Sequence, residues 1–261
     1  MRTKFNLNLV NLDKFSVLVQ GLYNVGKTHL LGDMLRSESQ YGPVRYMCHV
    51  DEGDERGGGW VTVASFGLGE VGERVATYQD MLDFLADCRK EKVHALGIDG
   101  LRPLYNAILV EVVGEPRLPD SRAPAKGGDG EFAVSMWGQA SFKMEQWFGL
   151  ARTAANIVMA TVPSHKSEVE KGGIKAIMPD LYGRLAQACI GRFDFAGYLT
   201  ARMIGAGKAE RRISFAPRAD VLNRQRLAHP VLTDILIPDS SGGWEAIKAA
   251  FQRGMGKEVP S

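Results

Sequence analysis

The sequence predicts an α/β fold with a mostly parallel central sheet, flanking helices and a C-terminal β-hairpin. Three observations carry that expectation. The stretch Gly21-Leu22-Tyr23-Asn24-Val25-Gly26-Lys27-Thr28 fits the pattern G-x-x-x-x-G-K-[ST], and it joins an apolar run at residues 15–20 to a helical pattern at residues 29–35. Apolar runs of strand length then alternate with stretches of helical period. One such run, residues 93–99, closes on a single acid, Asp99.

The glycine-bounded stretch is a phosphate-binding loop, or P-loop, with a clear physical logic. Glycine at both ends lets successive backbone N–H groups turn inward around phosphate oxygens, lysine reaches the terminal phosphates and the threonine hydroxyl holds Mg²⁺. Lying between strand and helix, the loop also aims the partial positive charge of a helix N-terminus at the same phosphates. The nucleotide-binding residues expected are Gly21, Leu22, Tyr23, Asn24, Val25, Gly26, Lys27, Thr28 and His29.

With 261 residues, 45% of them hydrophobic and 24% charged, the chain has material for one sizeable α/β core. A net charge of +2 is too small to imply nucleic-acid binding, so that function needs local basic clusters. Cys48, Cys88 and Cys189 are scattered, odd in number and outside CxxC spacing. They point to a reducing cytosol, with neither a disulfide framework nor a zinc site. No apolar run nears the roughly 20 residues that span a bilayer, and residues 1–14 are too polar for a signal peptide, so a cytoplasmic protein is expected.

Residues 1–14 suit an edge strand or an arm that docks on a neighbour. After the P-loop helix, Gly42-Pro43 marks a turn, residues 44–50 form a second core strand, and Asp51-Glu52-Gly53-Asp54-Glu55 follows at its tip. Ligands of a parallel α/β sheet bind beyond the C-terminal strand ends, so this acidic cluster should face the nucleotide. Gly57-Gly58-Gly59 leads to a short strand at residues 61–64. Between residues 78 and 92, Tyr78, Met81, Leu82, Leu85 and Cys88 recur at helical spacing, marking a covering helix. Asp99 follows about 70 residues after the P-loop, where a strand tip can hold Mg²⁺.

A helix at residues 101–113 gives way to a Gly-, Pro- and charge-rich loop at residues 114–130, which holds Arg117, Arg122 and Lys126. Residues 135–153 form a second covering helix, with Trp137, Phe142, Trp147 and Leu150 as its core anchors. A strand at residues 156–162 then delivers Pro163-Ser164-His165-Lys166 to the same sheet edge. Residues 167–180 read as a second polar loop, with Lys171 and Lys175. A helix at residues 181–190 and a strand at residues 193–201 precede a hairpin turn at Gly205-Ala206-Gly207 and a partner strand at residues 211–216. The core so outlined covers residues 15–231, and residues 232–261 form a tail with a helix at residues 244–251.

P-loop enzymes differ in where they keep the carboxylate that polarises the attacking water. Asp99 is followed by Gly100, so the position used by many ATP-driven motors holds no acid here. No N-K-x-D stretch reads guanine, and no Arg-rich lid is evident. The remaining place lies past the strand that follows the P-loop helix, where Glu52 stands. In this order of motifs the chain resembles the RecA-like P-loop ATPase core, and especially small phage-encoded nucleotide-binding and single-strand-annealing ATPases, from about residue 15 to residue 231.

That resemblance implies a RecA-like P-loop NTPase fold and a Mg²⁺-dependent ATP hydrolase. Lys27 and the loop amides would hold ATP, Thr28 and Asp99 the Mg²⁺, and Glu52 the water. Residues 114–130 and 167–180 would be DNA-binding loops, presenting Arg117, Arg122, Lys126, Lys166, Lys171 and Lys175 to single-stranded DNA. His165 would sense the γ-phosphate. Arg224 and Arg226, in Arg224-Gln225-Arg226-Leu227-Ala228, would reach a neighbouring subunit's nucleotide in a homo-oligomer, filament or ring. The chain departs from the family in its shortness, in His165 where a glutamine is usual, and in the bulky Tyr23 inside the P-loop. The implied output is annealing or homologous recombination, with a single-strand-binding protein as a candidate partner. The alternatives are a nucleotide-controlled adaptor for replication or packaging proteins, and a hexameric DNA motor or helicase.

Overall fold

The computed structural model describes residues 12–50, 59–63, 73–75, 77–113, 129–167, 176–181, 184–205, 208–218, 220–227, 229–231, 233–238 and 241–255. Its centre is β1 (Phe15–Gly21), buried on both faces along its whole length, which is why apolar Val17, Leu18 and Val19 follow one another without alternation between the buried polar residues Ser16 and Gln20. β1 lies between β6 (Ile157–Ser167) and β8 (Phe195–Gly205), and both run parallel to it. Beyond β6 come β5 (Ala95–Asp99) and β2 (Val44–Val50), also parallel. The five central strands therefore share one direction, in the order β8-β1-β6-β5-β2.

Antiparallel strands extend both edges. β3 (Gly59–Val63) and β4 (Glu73–Val75) continue the sheet past β2, while β9 (Lys208–Ser214) and β10 (Ile235–Ile237) continue it past β8. β8 and β9 form the expected hairpin, turning after Gly205. β7 (Ala176–Pro179) folds back on the outer part of β6, pairing Ser167 with Ala176 and Ser164 with Pro179. The polar loop expected over residues 167–180 is thus partly strand, because the apolar Ala-Ile-Met-Pro at its end supplies a partner for β6.

Helices cover both faces of the sheet. α1 (Lys27–Glu38) and α6 (Gly243–Gly254) close one core, in which Leu30, Leu31, Met34, Trp244 and Phe251 meet Phe15, Phe195 and Phe215. The Phe195 and Phe251 rings stack there with centroids 3.9 Å apart. α2 (Tyr78–Lys90), α3 (Leu101–Val113), α4 (Asp129–Ala151) and α5 (Arg184–Arg192) close the other, around Leu85, Leu104, Tyr105, Met144, Trp147 and Phe148. Gly97 of β5 lets α1 approach closely: a Cβ there would stand 2.7 Å from Leu31 and 2.9 Å from Leu35.

Three expectations are corrected. α4 starts at Asp129, inside the segment expected to be loop to residue 130. Phe142 is 62% exposed rather than a core anchor, since five residues on a helix turn it about 140° away from Trp137 and Trp147. The short strand expected at residues 61–64 begins at Gly59, so the last of the three glycines is paired in β3. Residues 1–11 of the proposed arm lie outside the described residues. The segment beyond residue 231 supplies β10 to the sheet and α6 to the core. Cys48, Cys88 and Cys189 are free thiols, and among the described residues no helix is long and apolar enough to cross a membrane.

Candidate nucleotide and metal site

β1 delivers the P-loop to the C-terminal edge of the sheet. A Cβ on Gly21 would stand 2.5 Å from the Leu199 carbonyl oxygen, so glycine is required where the strand hands over to the loop. Asn24 and Gly26 take left-handed backbone, with φ of 61° and 97°, and turn the chain back towards α1. Val25 is buried under the turn, whereas Leu22 and Tyr23 are 50% and 69% exposed at its tip. α1 then starts with no side-chain cap and no acid in its first turn, the arrangement in which first-turn amides serve an external anion.

Lys27 folds over this loop. Its ammonium donates to the Gly21 carbonyl at 3.0 Å and to the Leu22 carbonyl at 2.7 Å. Burial lowers its pKa and the carboxylate of Asp99 partly offsets that. Thr28 and His29 are exposed in the first turn of α1.

Asp99 reaches the same edge on β5, two strands from β1. β6 separates them, with Pro163 opposite Gly21 on one side and Ala160 opposite Ile98 on the other. Thr161 donates its hydroxyl to Asp99 Oδ1 at 2.6 Å, and the Tyr46 phenol donates to Oδ2 at 3.2 Å. The Gly100 N–H donates to Thr161 Oγ1 at 2.9 Å, which leaves the hydroxyl hydrogen for Asp99. Both carboxylate oxygens therefore act as acceptors. Burial, and then the charge of Asp99, push the Tyr46 phenol pKa up, so it stays a donor. Cys48, in register with Asp99, also has its thiol pKa raised by burial.

Gly100 has φ of +105°. The backbone that places its N–H on Thr161 strains any side-chain-bearing residue, which accounts physically for the missing acid after Asp99. Tyr46 and Thr161 were not singled out by sequence reasoning. Thr161 left one signal, a hydroxyl inside an otherwise apolar strand run.

The donor set suits Mg²⁺. Thr28 offers a hydroxyl and Asp99 a carboxylate, both hard oxygens, and among the described residues no group of three or more His, Cys, Asp or Glu side chains could hold a metal without help. A cation at this edge would take these two oxygens and complete its shell with phosphate and water.

The remaining candidates separate by place. Glu52, Arg117, Arg122, Lys126, Lys171 and Lys175 lie outside the described residues. Lys166 is in β6, opposite Ile177. His165 stands two positions beyond Pro163, and its Nδ1 lies 3.6 Å from Asp180, which also accepts from Arg102 at 2.7 Å. Arg224 and Arg226 lie at the opposite end of the sheet. Arg224 bridges to Ala196 at the start of β8 and donates to the Gly191 carbonyl. Arg226 shares Asp194 with Arg152, each at 3.1 Å, and Asp194 accepts from Ser16 at the start of β1. Ser16 lies five strand steps from Gly21, roughly 16 Å, which sets Arg226 apart from the P-loop of its own chain, while Arg224 stands level with Leu18 and turns its guanidinium to Gly191.

No protein-family model matches the chain, and no curated protein matches it. Among solved structures it is similar to a KaiC-like protein from the hyperthermophilic archaeon Pyrococcus horikoshii OT3, at 12% identity and a TM-score of 0.44, over 86% of this chain and 85% of that one. The class of the fold rests on the chain's own geometry. A P-loop on the central strand, an aspartate across one intervening strand and five parallel strands in the order β8-β1-β6-β5-β2, with helices on both faces, make this a mixed α/β fold built around a phosphate-binding loop.

Proposed function

We propose that this chain is a Mg²⁺-dependent ATPase that binds single-stranded DNA and promotes annealing or homologous recombination. The observation that carries the reading is the juxtaposition of the uncapped P-loop with Asp99, held from both sides by Thr161 and Tyr46, at one edge of the sheet. In this reading Lys27 exchanges its loop carbonyls for phosphate oxygens, and the first amides of α1 take the remainder. Thr28 and Asp99 hold Mg²⁺, which when bound neutralises charge on the transferring phosphoryl group. Glu52 orients the attacking water, His165 reports the γ-phosphate, and Arg224 and Arg226 act in a neighbouring copy.

Support for DNA comes from where the basic segments start. β6 runs on beyond its last partner in β1, and the residues that join it to β7 carry Lys171 and Lys175. Contacts of this kind go to the phosphate backbone and weaken steeply with salt.

The test is ATP hydrolysis with and without single-stranded DNA, at low and high salt, with Lys27→Ala as the blank. Stimulation by DNA that disappears at high salt is expected. Hydrolysis indifferent to DNA would remove DNA from the reading and leave the adaptor, for which Lys27→Ala abolishes partner binding while Glu52→Ala spares it.

A further inference from the structure

Arg211 belongs to none of the groups described above, yet it lies against the glycine that closes the P-loop. It stands on β9, opposite Ala201 of β8 and Ile237 of β10. Two residues further on, Ile213 is buried in the core formed with Leu30 and Leu31 of α1. Strand alternation puts Arg211 on that same face, half-buried at the upper margin of the core. A Cβ on Gly26 would meet Arg211 Nε at 2.8 Å, Cδ at 3.1 Å and Cζ at 3.6 Å. The guanidinium therefore packs on the backbone where loop becomes helix. The hairpin also touches the loop's other end, through the close approach of Leu199 to Gly21.

We propose that Arg211 is a nucleotide-binding residue, a second fixed cation that contacts the phosphates of a bound nucleoside triphosphate from the hairpin side, within the same chain. The inference rests on the nucleotide-binding reading above. Lys27 is a point charge that reaches the loop from inside, with its ammonium on the Gly21 and Leu22 carbonyls. A guanidinium adds planar donors suited to phosphate oxygens, and half-burial keeps its charge from being fully screened. Arg211 is distinct from Arg224 and Arg226, which sit at the other end of the sheet.

Calorimetric titration of the purified protein with ATP and with ADP, for the wild type, Arg211→Gln and Arg211→Lys, tests this. The melting temperature of each nucleotide-free protein is measured alongside. Arg211→Gln is expected to bind both nucleotides about 10- to 100-fold more weakly, the span of a lost hydrogen bond to a charged group, and to melt within a few degrees of the wild type. Arg211→Lys, which keeps charge and stem, should fall between the two. Wild-type affinity in Arg211→Gln would overturn the proposal and leave Arg211 as a packing residue. Should Arg211→Gln melt far below the wild type, Arg211→Lys decides: an affinity equal to wild type overturns the proposal, a several-fold loss supports it. Absence of ATP binding by the wild type is a separate outcome that defeats the nucleotide reading itself.

Discussion

Thr161 shows how much of the metal side of the site hangs on one hydroxyl. It accepts from Gly100 and donates to Asp99, so a single oxygen fixes both the turn after β5 and the carboxylate at its tip. Thr161→Val keeps the shape and removes both bonds. The substitution should weaken the apparent Mg²⁺ affinity of the ATP complex about 10- to 100-fold, as loss of a ligand-orienting partner does. Metal-free ATP binding should not change, and Thr161→Ser should restore the metal affinity. A Mg²⁺ titration of bound fluorescent ATP reads both. The P-loop and Asp99 were legible in the sequence because their chemistry demands given residue types at fixed local spacing. Thr161, Tyr46 and Arg211 were not, since strand register brings them to the site across 62 residues for Thr161 and 53 for Tyr46.

At the scale of elements, the helix ends tell two different stories. α2 is capped from its own sequence, by a Thr77 and Asp80 capping box that a local reading can find. α6 begins at a glycine without a side-chain acceptor, and buried Asp33 of α1 supplies one instead, accepting from Gly242 N at 3.3 Å and Trp244 N at 2.9 Å. Asp33→Ala should therefore cost about 1–2 kcal/mol, as loss of a cap does, and speed amide exchange in α6 ahead of the central strands. Exchange unchanged in α6 would show that Asp33 is not its cap. Element types were legible wherever apolar period was strong, as in β1, β5 and α2. β10 and β7 escaped because strands of three and four residues carry almost no period, and they exist only through their partners β9 and β6.

The whole molecule is tied together by Glu38, the last residue of α1. Its carboxylate is 2% exposed and accepts from the Trp244 indole at 2.5 Å and from Lys248 at 2.9 Å, both on α6, while His94 lies 2.9 Å away just before β5. Burial alone would raise its pKa, but these hydrogen bonds hold it below the ordinary carboxylate value. The unfolded chain therefore takes up this proton more readily than the folded one. The stabilisation is complete above the unfolded value of about 4.3 and is lost as pH falls through the lower folded value. Denaturant melts between pH 3 and 7 should show this acid loss in the wild type and a shallower one in Glu38→Gln, which starts from lower stability. Melts of equal slope would show that Glu38 does not carry the acid sensitivity.

β6 gives the site a property that belongs to no side chain. It fills the space between the strand of the P-loop and the strand of Asp99, and it is hydrogen-bonded to both. The gap is thus two strand spacings, close to 10 Å, set by peptide geometry. Side chains along β6 can be exchanged for others of similar bulk and the gap keeps its width, whereas an added or deleted residue would shift Thr161 out of line with Asp99. The strand works as a ruler graduated in peptide units, tolerant of new spelling and intolerant of a change in length.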